Sequence, residues 1–202
     1  EFFFCSSLEL VNKNKWNKCI GNDHPFLQYE FLNALEKSGS ATIKTGWQPY
    51  HYIEIENEEI IAICPLYIKS HSFGEYIFDW AWANAYENNG MHYYPKLVSA
   101  IPFTPATGRK LLFRCSKNSF EVQKKLLYEA LRKMRERGCS SLHFLFVDKD
   151  ELSIFEKMGF NILIMKYRIV LLVNFSNFFH KNSFHLEKNL INIKKKLNNK
   201  DW

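Results

Sequence analysis

The alternation of apolar and polar residues predicts a sheet that begins with a hairpin. Over residues 50–69, the segments YHYIEIE and IIAICPLYIK flank Asn57 and Glu58. The first segment alternates between polar and apolar side chains, and the second is mostly apolar, which is typical of a central strand. Pro65 has no N–H to donate to a neighbouring strand, so we expect a bulge or a strand end there.

Two prolines mark predicted helix starts, and the spacing of apolar residues predicts a third helix. Residues 25–38 are predicted to be a helix, since Pro25 suits the first helical position, and His24 is expected to cap it. Pro95 is expected to open a second, short helix. The spacing of apolar residues over 118–137 predicts a long amphipathic helix. Its buried side is expected to carry Leu127, Ala130, Leu131 and Met134.

The remaining pattern alternates strands with helices. Further strands are predicted at residues 75–80, 109–114, 141–147 and 160–173, a loop at 102–108, a short helix at 150–158, and a basic helical tail from residue 184. A hairpin followed by alternating helices and strands indicates a mixed α/β sheet flanked by helices.

Composition limits the class of protein. The chain has 202 residues, of which 47% are hydrophobic and 24% charged, as in globular proteins. We expect no membrane insertion and no signal peptide, because no apolar run approaches about 20 residues and no basic n-region precedes one. The five cysteines form no CxxC and no zinc-like spacing, so we expect buried or indifferent thiols, a reducing cytoplasmic location and no metal.

The net charge of +6 raises the question of nucleic acid binding. Lysine outnumbers arginine 21 to 6, and arginine is the better reader of phosphates and bases. Solvated helix faces explain most of the positive charge. RNA binding, for example to tRNA, therefore remains a weakly supported alternative.

One apolar stretch carries four ionisable side chains. In PLYIKSHSFGEYIFDWAW these are Lys69, His71, Glu75 and Asp79. If EYIFDW is a strand, Glu75 and Asp79 share a face and lie about 13 Å apart, which is too far for a paired acid and base. Their face must contact water or cations. The four residues lie either at a solvated strand edge or in a pocket.

A proline-rich loop is the second candidate. In PFTPATGR, two prolines and a glycine restrain the backbone that presents Thr104, Thr107 and Arg109. The segment is either a rigid binding loop for a carboxylate or phosphate or an ordinary connection. The sequence contains no Ser nucleophile elbow, Walker loop or GxGxxG motif. The segment FRCSKNSFE, which leads into the long helix, contains no glycine. Such a segment is unfavourable for the run of backbone N–H groups that binds a pyrophosphate.

Several long motifs carry a resemblance to a family. HPFLQYEFLNALEKSGS, GWQPYHY, the charged stretch above and YYPKLVSAIPFTPATGRKLL appear in order between about residues 24 and 160. Together they resemble the FemAB-like family of peptidoglycan biosynthesis/recognition proteins, which is related to the GNAT acyltransferases. FEKMGF also resembles the end of a GNAT unit. After Lys166 the sequence departs from the family pattern.

The resemblance implies an α/β, GNAT-like mixed and mostly antiparallel sheet in residues 1–174. Residues 175–202 are expected to begin a second unit. The implied function is acyl or aminoacyl transfer to an amine of a polar, cell-wall-related small molecule or peptide, with acetyl-CoA or another acyl donor such as aminoacyl-tRNA. The alternative is a non-catalytic recognition module for peptidoglycan precursors.

The resemblance to this family favours a pocket over a solvated strand edge for the four ionisable residues of the charged stretch. The candidate catalytic residues are Glu75 and His71. The candidate substrate-binding residues are Lys69, Asp79, Trp80, Tyr94, Lys96, Thr104, Thr107 and Arg109.

Overall fold

The computed structural model describes residues 1–21, 24–77, 79–114, 119–165 and 168–172. Within these ranges the strands are β1 (Phe2–Cys5), β2 (Trp47–Pro49), β3 (His51–Glu56), β4 (Glu59–Cys64), β5 (Tyr67–Lys69), β6 (Lys96–Ser99), β7 (Leu112–Phe113), β8 (Leu142–Leu145), β9 (Asn161–Met165) and β10 (Arg168–Leu172). The helices are α1 (Lys13–Ile20), α2 (Tyr29–Lys37), α3 (Trp80–Glu87), α4 (Ser119–Glu136) and α5 (Leu152–Lys157). Short 3₁₀ helices lie at Leu8–Leu10, Pro25–Leu27, Ile43–Thr45 and Lys149–Glu151.

The described strands form two sheets. The first has the order β1-β3-β4-β7, and the second β2-β5-β6-β8-β10-β9. Two of the places where the chain passes from one sheet to the other are neighbours, one between β2 and β3 and one between β4 and β5. There the backbone N–H of Tyr50 donates to the carbonyl of Leu66 at 2.8 Å. All strand pairs are antiparallel except β6 and β8, which are parallel.

The two faces of the second sheet pack against different groups of residues. On one face α4 and α5 pack over an apolar core that includes Leu97, Leu127, Phe144 and Phe155. Alternation along β6 sends its other side chains to the opposite face, where Val98 packs with Trp47, Tyr67 and Leu145. Helices α1 and α2 cover a third apolar cluster against the first sheet. The charged residues singled out in the sequence belong to the face that α4 does not cover.

Several predicted elements are confirmed. The hairpin turns at Asn57 and Glu58, both with positive φ as two-residue hairpins require. Strand β4 ends immediately before Pro65. The long helix is α4, with Leu127, Ala130 and Met134 buried and Leu131 partly buried. Four cysteines are buried free thiols, Cys5, Cys19, Cys64 and Cys139.

Other expectations are wrong in detail. The helix at residues 25–38 is interrupted, because Gln28 is extended (ψ 146°) between a 3₁₀ turn and α2. His24 makes no side-chain cap, and its Nε2 contacts the carbonyl of Thr107 instead. Pro95 does not open a helix but precedes β6, whose four residues are all buried. The stretch 160–173 holds two strands, β9 and β10. The predicted tail 175–202 lies outside the described residues.

The core on α4 provides a test of the packing. Leu127→Ala should lower the free energy of unfolding by about 2–5 kcal/mol, because it removes buried methyl groups and leaves a cavity. Tyr128→Ala, at the neighbouring exposed position, should change it by less than about 0.5 kcal/mol. Urea unfolding of both variants measures the difference. Equal effects would contradict the assignment of the buried face.

Candidate functional site

Two lysines face each other in the second sheet. Lys69 ends β5 and Lys96 begins β6, and the two residues are direct partners in the antiparallel ladder. Both side chains are fully buried. Directly opposed residues lie on the same face of a sheet, where like charges repel each other. The two ammonium groups therefore require carboxylates from another part of the chain.

The ammonium group of Lys96 binds two carboxylates. Its Nζ donates to Oε2 of Glu75 at 2.7 Å and to Oδ2 of Asp79. The hydroxyl groups of Tyr93 and Tyr94 also donate to Asp79, each at 2.9 Å. Burial by itself lowers the pKa of Lys96, but the charges of Glu75 and Asp79 outweigh burial and raise that pKa. Burial likewise acts to raise the pKa of Asp79, and Lys96 outweighs it and lowers that pKa.

Lys69 has a weaker set of partners. Its Nζ donates to the carbonyl of Phe73 at 3.1 Å and lies 3.8 Å from the centre of the Trp47 ring. Oε1 of Glu75 is 4.0 Å away, which is too far for a hydrogen bond. Burial lowers the pKa of Lys69 to about 7, because Glu75 opposes the effect only in part and Lys96 adds to it.

Glu75 has one carboxylate oxygen without a donor. Oε2 is bound by Lys96, whereas Oε1 accepts no hydrogen bond from the described residues. Burial raises the pKa of Glu75, and the charge of Lys96 opposes this rise. A buried acceptor left without a donor is costly and uncommon. Oε1 is therefore a position at which a donor group on a ligand would be stabilised.

Residues 70–77 and Asp79, which we call the covering segment, lie over these charged groups. The carbonyl of Phe73 accepts from Nε1 of Trp47 at 3.2 Å as well as from Lys69. Gly74 has a φ of +79°, and a Cβ at this position would lie 2.6 Å from the ring of Phe103. Glycine is therefore needed for the covering segment to pass this close to its neighbours.

The prediction of a strand at residues 75–80 is wrong. Tyr76 has a φ of +59°, outside the extended region, and α3 begins at Trp80. The predicted separation of about 13 Å between Glu75 and Asp79 is wrong for the same reason. The turn at Tyr76 brings both carboxylates to one ammonium group, that of Lys96. Of the two alternatives expected for these carboxylates, water or cations, the structure shows contact with a cation, the ammonium group of Lys96.

His71 and Trp80 lie at the margins of the cluster. The Nδ1 atom of His71 accepts from the backbone N–H of Phe73 at 3.3 Å, and its ring lies partly exposed. Partial burial and the charge of Lys69 lower the pKa of His71. Trp80 is the first residue of α3, and 56% of it is exposed. The hydrogen bonds described for Lys96, Glu75 and Asp79 do not involve His71.

The proline-rich loop is separate from the charged cluster. Thr104 donates to the carbonyl of Pro102 within its own loop, and Thr107 and Arg109 are exposed. In the described part of the chain, no hydrogen bond or ion pair joins these three side chains to the cluster. The loop reaches the covering segment through Phe103, whose backbone N–H donates to the carbonyl of Gly74 at 3.2 Å. The structure thus brings together five of the predicted residues, Lys69, Glu75, Asp79, Tyr94 and Lys96.

Two groups at or near the site have no counterpart in the predicted residues. Trp47, which pairs with Lys69 across β2 and β5, supplies the aromatic face under that ammonium group. Its position in GWQPYHY, beside an alternating strand, was the available signal. Tyr93 binds Asp79 together with Tyr94, and the adjacent pair of tyrosines before Lys96 pointed to it.

A second buried lysine and glutamate, Lys110 and Glu151, were also missed. The carboxylate of Glu151 accepts the backbone N–H groups of Lys110 and Leu111 at 2.9 and 2.8 Å. Nζ of Lys110 donates to the carbonyls of Gly108 and Phe146. Burial lowers the pKa of Lys110 to about 8 and raises that of Glu151 to about 7. This pair ties the end of the proline-rich loop to the segment after β8.

Comparison with known families identifies the chain. A model of the FemAB-like family, described as peptidoglycan biosynthesis/recognition, matches residues 7–197. The chain belongs to the FemAB-like family. The match to this family extends on both sides of the motifs between residues 24 and 160 that carry the resemblance. A search of curated proteins found no match.

Solved structures show the fold of this FemAB-like chain. A protein described as a GNAT-family acetyltransferase, from Desulfovibrio desulfuricans, superposes with a TM-score of 0.54 at 10% identity, over 86% of this chain and 98% of that one. Aminoglycoside 6'-acetyltransferase type Ii gives 0.51 at 8% identity, over 86% and 96%. The N-acetyltransferase YlbP of Bacillus subtilis, in complex with coenzyme A, gives 0.51 at 10%, over 86% and 95%. The predicted α/β, GNAT-like fold is confirmed.

Two kinds of feature are absent from the described residues. None of their helices is both long and apolar enough to cross a membrane. They contain no group of three or more His, Cys, Asp or Glu residues arranged to hold a metal ion.

The pKa of Lys69 predicts how stability depends on pH. A lysine whose pKa is lower in the folded chain binds fewer protons when folded, so its contribution to stability rises with pH between the two pKa values. Between about pH 7 and about pH 10, the free energy of unfolding of the unaltered chain should therefore rise more steeply than that of Lys69→Met.

Urea unfolding of both proteins at several pH values measures the two slopes. Lys110, whose pKa is also lowered, contributes a slope of the same sign to both proteins, so only their difference reports Lys69. Parallel curves would contradict the assignment.

Proposed function

We propose that this FemAB-like chain is an N-acyltransferase that transfers an acyl or aminoacyl group to an amine of a polar, cell-wall-related substrate. The observation that carries the proposal is the buried carboxylate of Glu75, which lies beside a second buried carboxylate, Asp79, and has one oxygen that receives no hydrogen bond from the described part of the chain. An ammonium group is the donor that such a site would stabilise most, since charged hydrogen bonds are about twice as strong as neutral ones.

The charge of the cluster supports an amine ligand. Lys96 is protonated and binds both carboxylates, whereas the pKa of Lys69 lies close to neutrality. When Lys69 is neutral and both carboxylates are ionised, the four groups carry a net charge of about −1. A bound ammonium group would neutralise that charge. A carboxylate ligand would increase it, so we favour the amine end of the substrate as the part that enters this site.

The donor is an acyl-CoA or an aminoacyl-tRNA. The GNAT fold and the coenzyme A complex of YlbP support the first. The Fem relatives implied by the sequence resemblance support the second. Either donor presents a carbonyl carbon to the amine, and the acceptor ammonium must lose a proton before it can attack. The bases predicted from the sequence remain Glu75 and His71. The candidates for contacts with the rest of either substrate remain Trp80, Thr104, Thr107 and Arg109.

A recognition module without catalysis is the second candidate. It is favoured by the burial of the cluster, in which Lys69, Lys96 and Glu75 are each no more than 2% exposed. A site closed in this way can hold an amine-bearing peptidoglycan precursor without a donor beside it.

Ligand binding and transfer can be measured with the same reagents. We expect acetyl-CoA and a muropeptide with a free lysine amine each to raise the thermal unfolding temperature, and the two together to yield acetylated muropeptide detected by mass spectrometry. A shift with the muropeptide alone and no product would favour the recognition module. Replacing acetyl-CoA with aminoacyl-tRNA distinguishes the two donors.

Glu75→Gln tests the role of the carboxylate. It should weaken binding of the muropeptide about 10- to 100-fold, because a charge-assisted hydrogen bond contributes about 1.5–3 kcal/mol. Glu56→Gln removes an exposed carboxylate of β3 and serves as the matched control, with no change expected. Circular dichroism checks that both variants are folded. Unchanged binding by folded Glu75→Gln would contradict the placement of the amine.

A further inference from the structure

We propose that Lys69 is the proton acceptor of this transfer, the group that removes a proton from the acceptor ammonium while Glu75 binds it. The inference rests on the proposed function and differs from it by assigning the base to a lysine. The observation behind it is that the two lysines facing each other across β5 and β6 have different binding partners.

The two ammonium groups differ in what they bind. Lys96 is held by two carboxylates, which fix it in its charged form. Lys69 donates to one neutral carbonyl, that of Phe73, and lies over an aromatic ring. A carbonyl oxygen can accept a hydrogen bond from a neutral amine as well as from an ammonium, so this partner permits the neutral form.

The charged and titratable groups around Lys69 come from several elements. Glu75 and Asp79 of the covering segment favour its charged form, and Lys96 of β6 disfavours it, as does burial, which is the largest effect. His71 follows on the same strand end, and Lys69 and Lys96 both act to lower its pKa. Burial lowers the pKa of His143 on β8 well below its usual range, so this residue adds no charge near neutral pH. The resulting pKa of about 7 suits a base that works at neutral pH.

The geometry brings together two groups that can each bind an amine, Nζ of Lys69 and Oε1 of Glu75. Nζ of Lys69 and Oε1 of Glu75 are 4.0 Å apart without a hydrogen bond between them. A nitrogen atom about 3 Å from each of them could hydrogen-bond to both. Entry to this position requires the carbonyl of Phe73 in the covering segment to release Lys69.

The alternative bases are less suitable. Glu75 has one carboxylate oxygen on Lys96 at 2.7 Å and the other without a donor among the described residues, so we assign it to binding of the acceptor ammonium. His71 has its Nδ1 bound by the backbone N–H of Phe73 and lies at the margin of the cluster. Neither supplies a second basic atom beside the unpartnered oxygen of Glu75, whereas Nζ of Lys69 lies 4.0 Å from it.

The transfer balances with Lys69 in this role. One N–H bond of the acceptor ammonium breaks, and its proton bonds to the lone pair of Nζ, which becomes an ammonium. The lone pair left on the acceptor nitrogen forms a bond to the carbonyl carbon of the donor. The carbon–sulfur bond of a thioester, or the carbon–oxygen bond of an ester, breaks and its electron pair leaves with that atom. The leaving group takes the second proton from the nitrogen, and Lys69 returns the first to solvent.

Kinetics and lysine titration test the assignment together. With acetyl-CoA and the muropeptide as probes, Lys69→Met should lower kcat by about 10²- to 10⁴-fold with little change in KM. Lys69→Arg keeps a positive charge but cannot act as a base at this pH, so it should not restore kcat. Lys44→Met, at an exposed lysine, is the matched control and should leave the rate unchanged. The pH profile of kcat/KM should rise with an apparent pKa near 7.

The titration of Lys69 is read directly by NMR of the chain labelled with ¹³C-lysine, and the resonance is assigned by its loss in Lys69→Met. We expect a midpoint near pH 7. A midpoint near 10, or transfer that survives in folded Lys69→Met, would overturn the assignment of Lys69 while leaving the transferase function intact. Absence of transfer by the unaltered chain with either donor would overturn the proposed function and, with it, the role of Lys69.

Discussion

The structure of the site depends on one constraint, the burial of two lysines directly opposite each other in a sheet. Lys69 and Lys96 occupy paired positions on β5 and β6 and are both fully buried. Their mutual repulsion and loss of hydration make the bare sheet face unstable. Glu75 and Asp79 relieve this, and because both reach one ammonium group, the backbone between them must turn instead of extending. The positive φ of Tyr76 follows from that requirement.

The carboxylates are not distributed evenly between the lysines, and this inequality links the fold to the proposed chemistry. Lys96 takes both and serves as the anchor for the covering segment. Lys69 is left with a carbonyl and a ring, and Glu75 is left with an oxygen that has no donor among the described residues. Replacement of a buried ion pair by apolar residues is often neutral or stabilising. Four ionisable groups in this arrangement are therefore more readily explained by a role in binding than by a role in stability.

The sequence predicted those parts of the molecule that local patterns determine. The hairpin and α4 were found because period-2 and period-3.6 spacing is visible within a short window. The covering segment was mistaken for a strand because EYIFDW alternates in the same way, whereas the turn at Tyr76 is imposed by contacts with a strand about 20 residues later in the chain. Strand β6 was missed because Pro95 suggested a helix start, and a strand buried on both faces has no alternation.

The site was partly predictable for a related reason. Ionisable residues in an apolar stretch identified Lys69, Glu75 and Asp79, and the resemblance to the FemAB-like family added Tyr94 and Lys96. Trp47 was missed because a strand tryptophan usually belongs to the core. Glu151 and Lys110 were missed because 41 residues separate them and each pairs mainly with backbone groups. The loop with Thr104 and Arg109 has the composition of a binding loop, but its contacts are with its own neighbours and not with the cluster.

A double-mutant cycle between Lys96 and Asp79 tests most directly whether the buried ion cluster holds the covering segment. Urea unfolding of Lys96→Met, Asp79→Asn and the double variant gives the interaction energy, which should reach about 1–3 kcal/mol for a buried pair in contact. The exposed pair Lys13 and Glu30 provides a reference cycle, expected to give about 0.2–1 kcal/mol. If the Lys96 and Asp79 effects add within about 0.5 kcal/mol, the two side chains are not coupled, and the central claim about this cluster is contradicted.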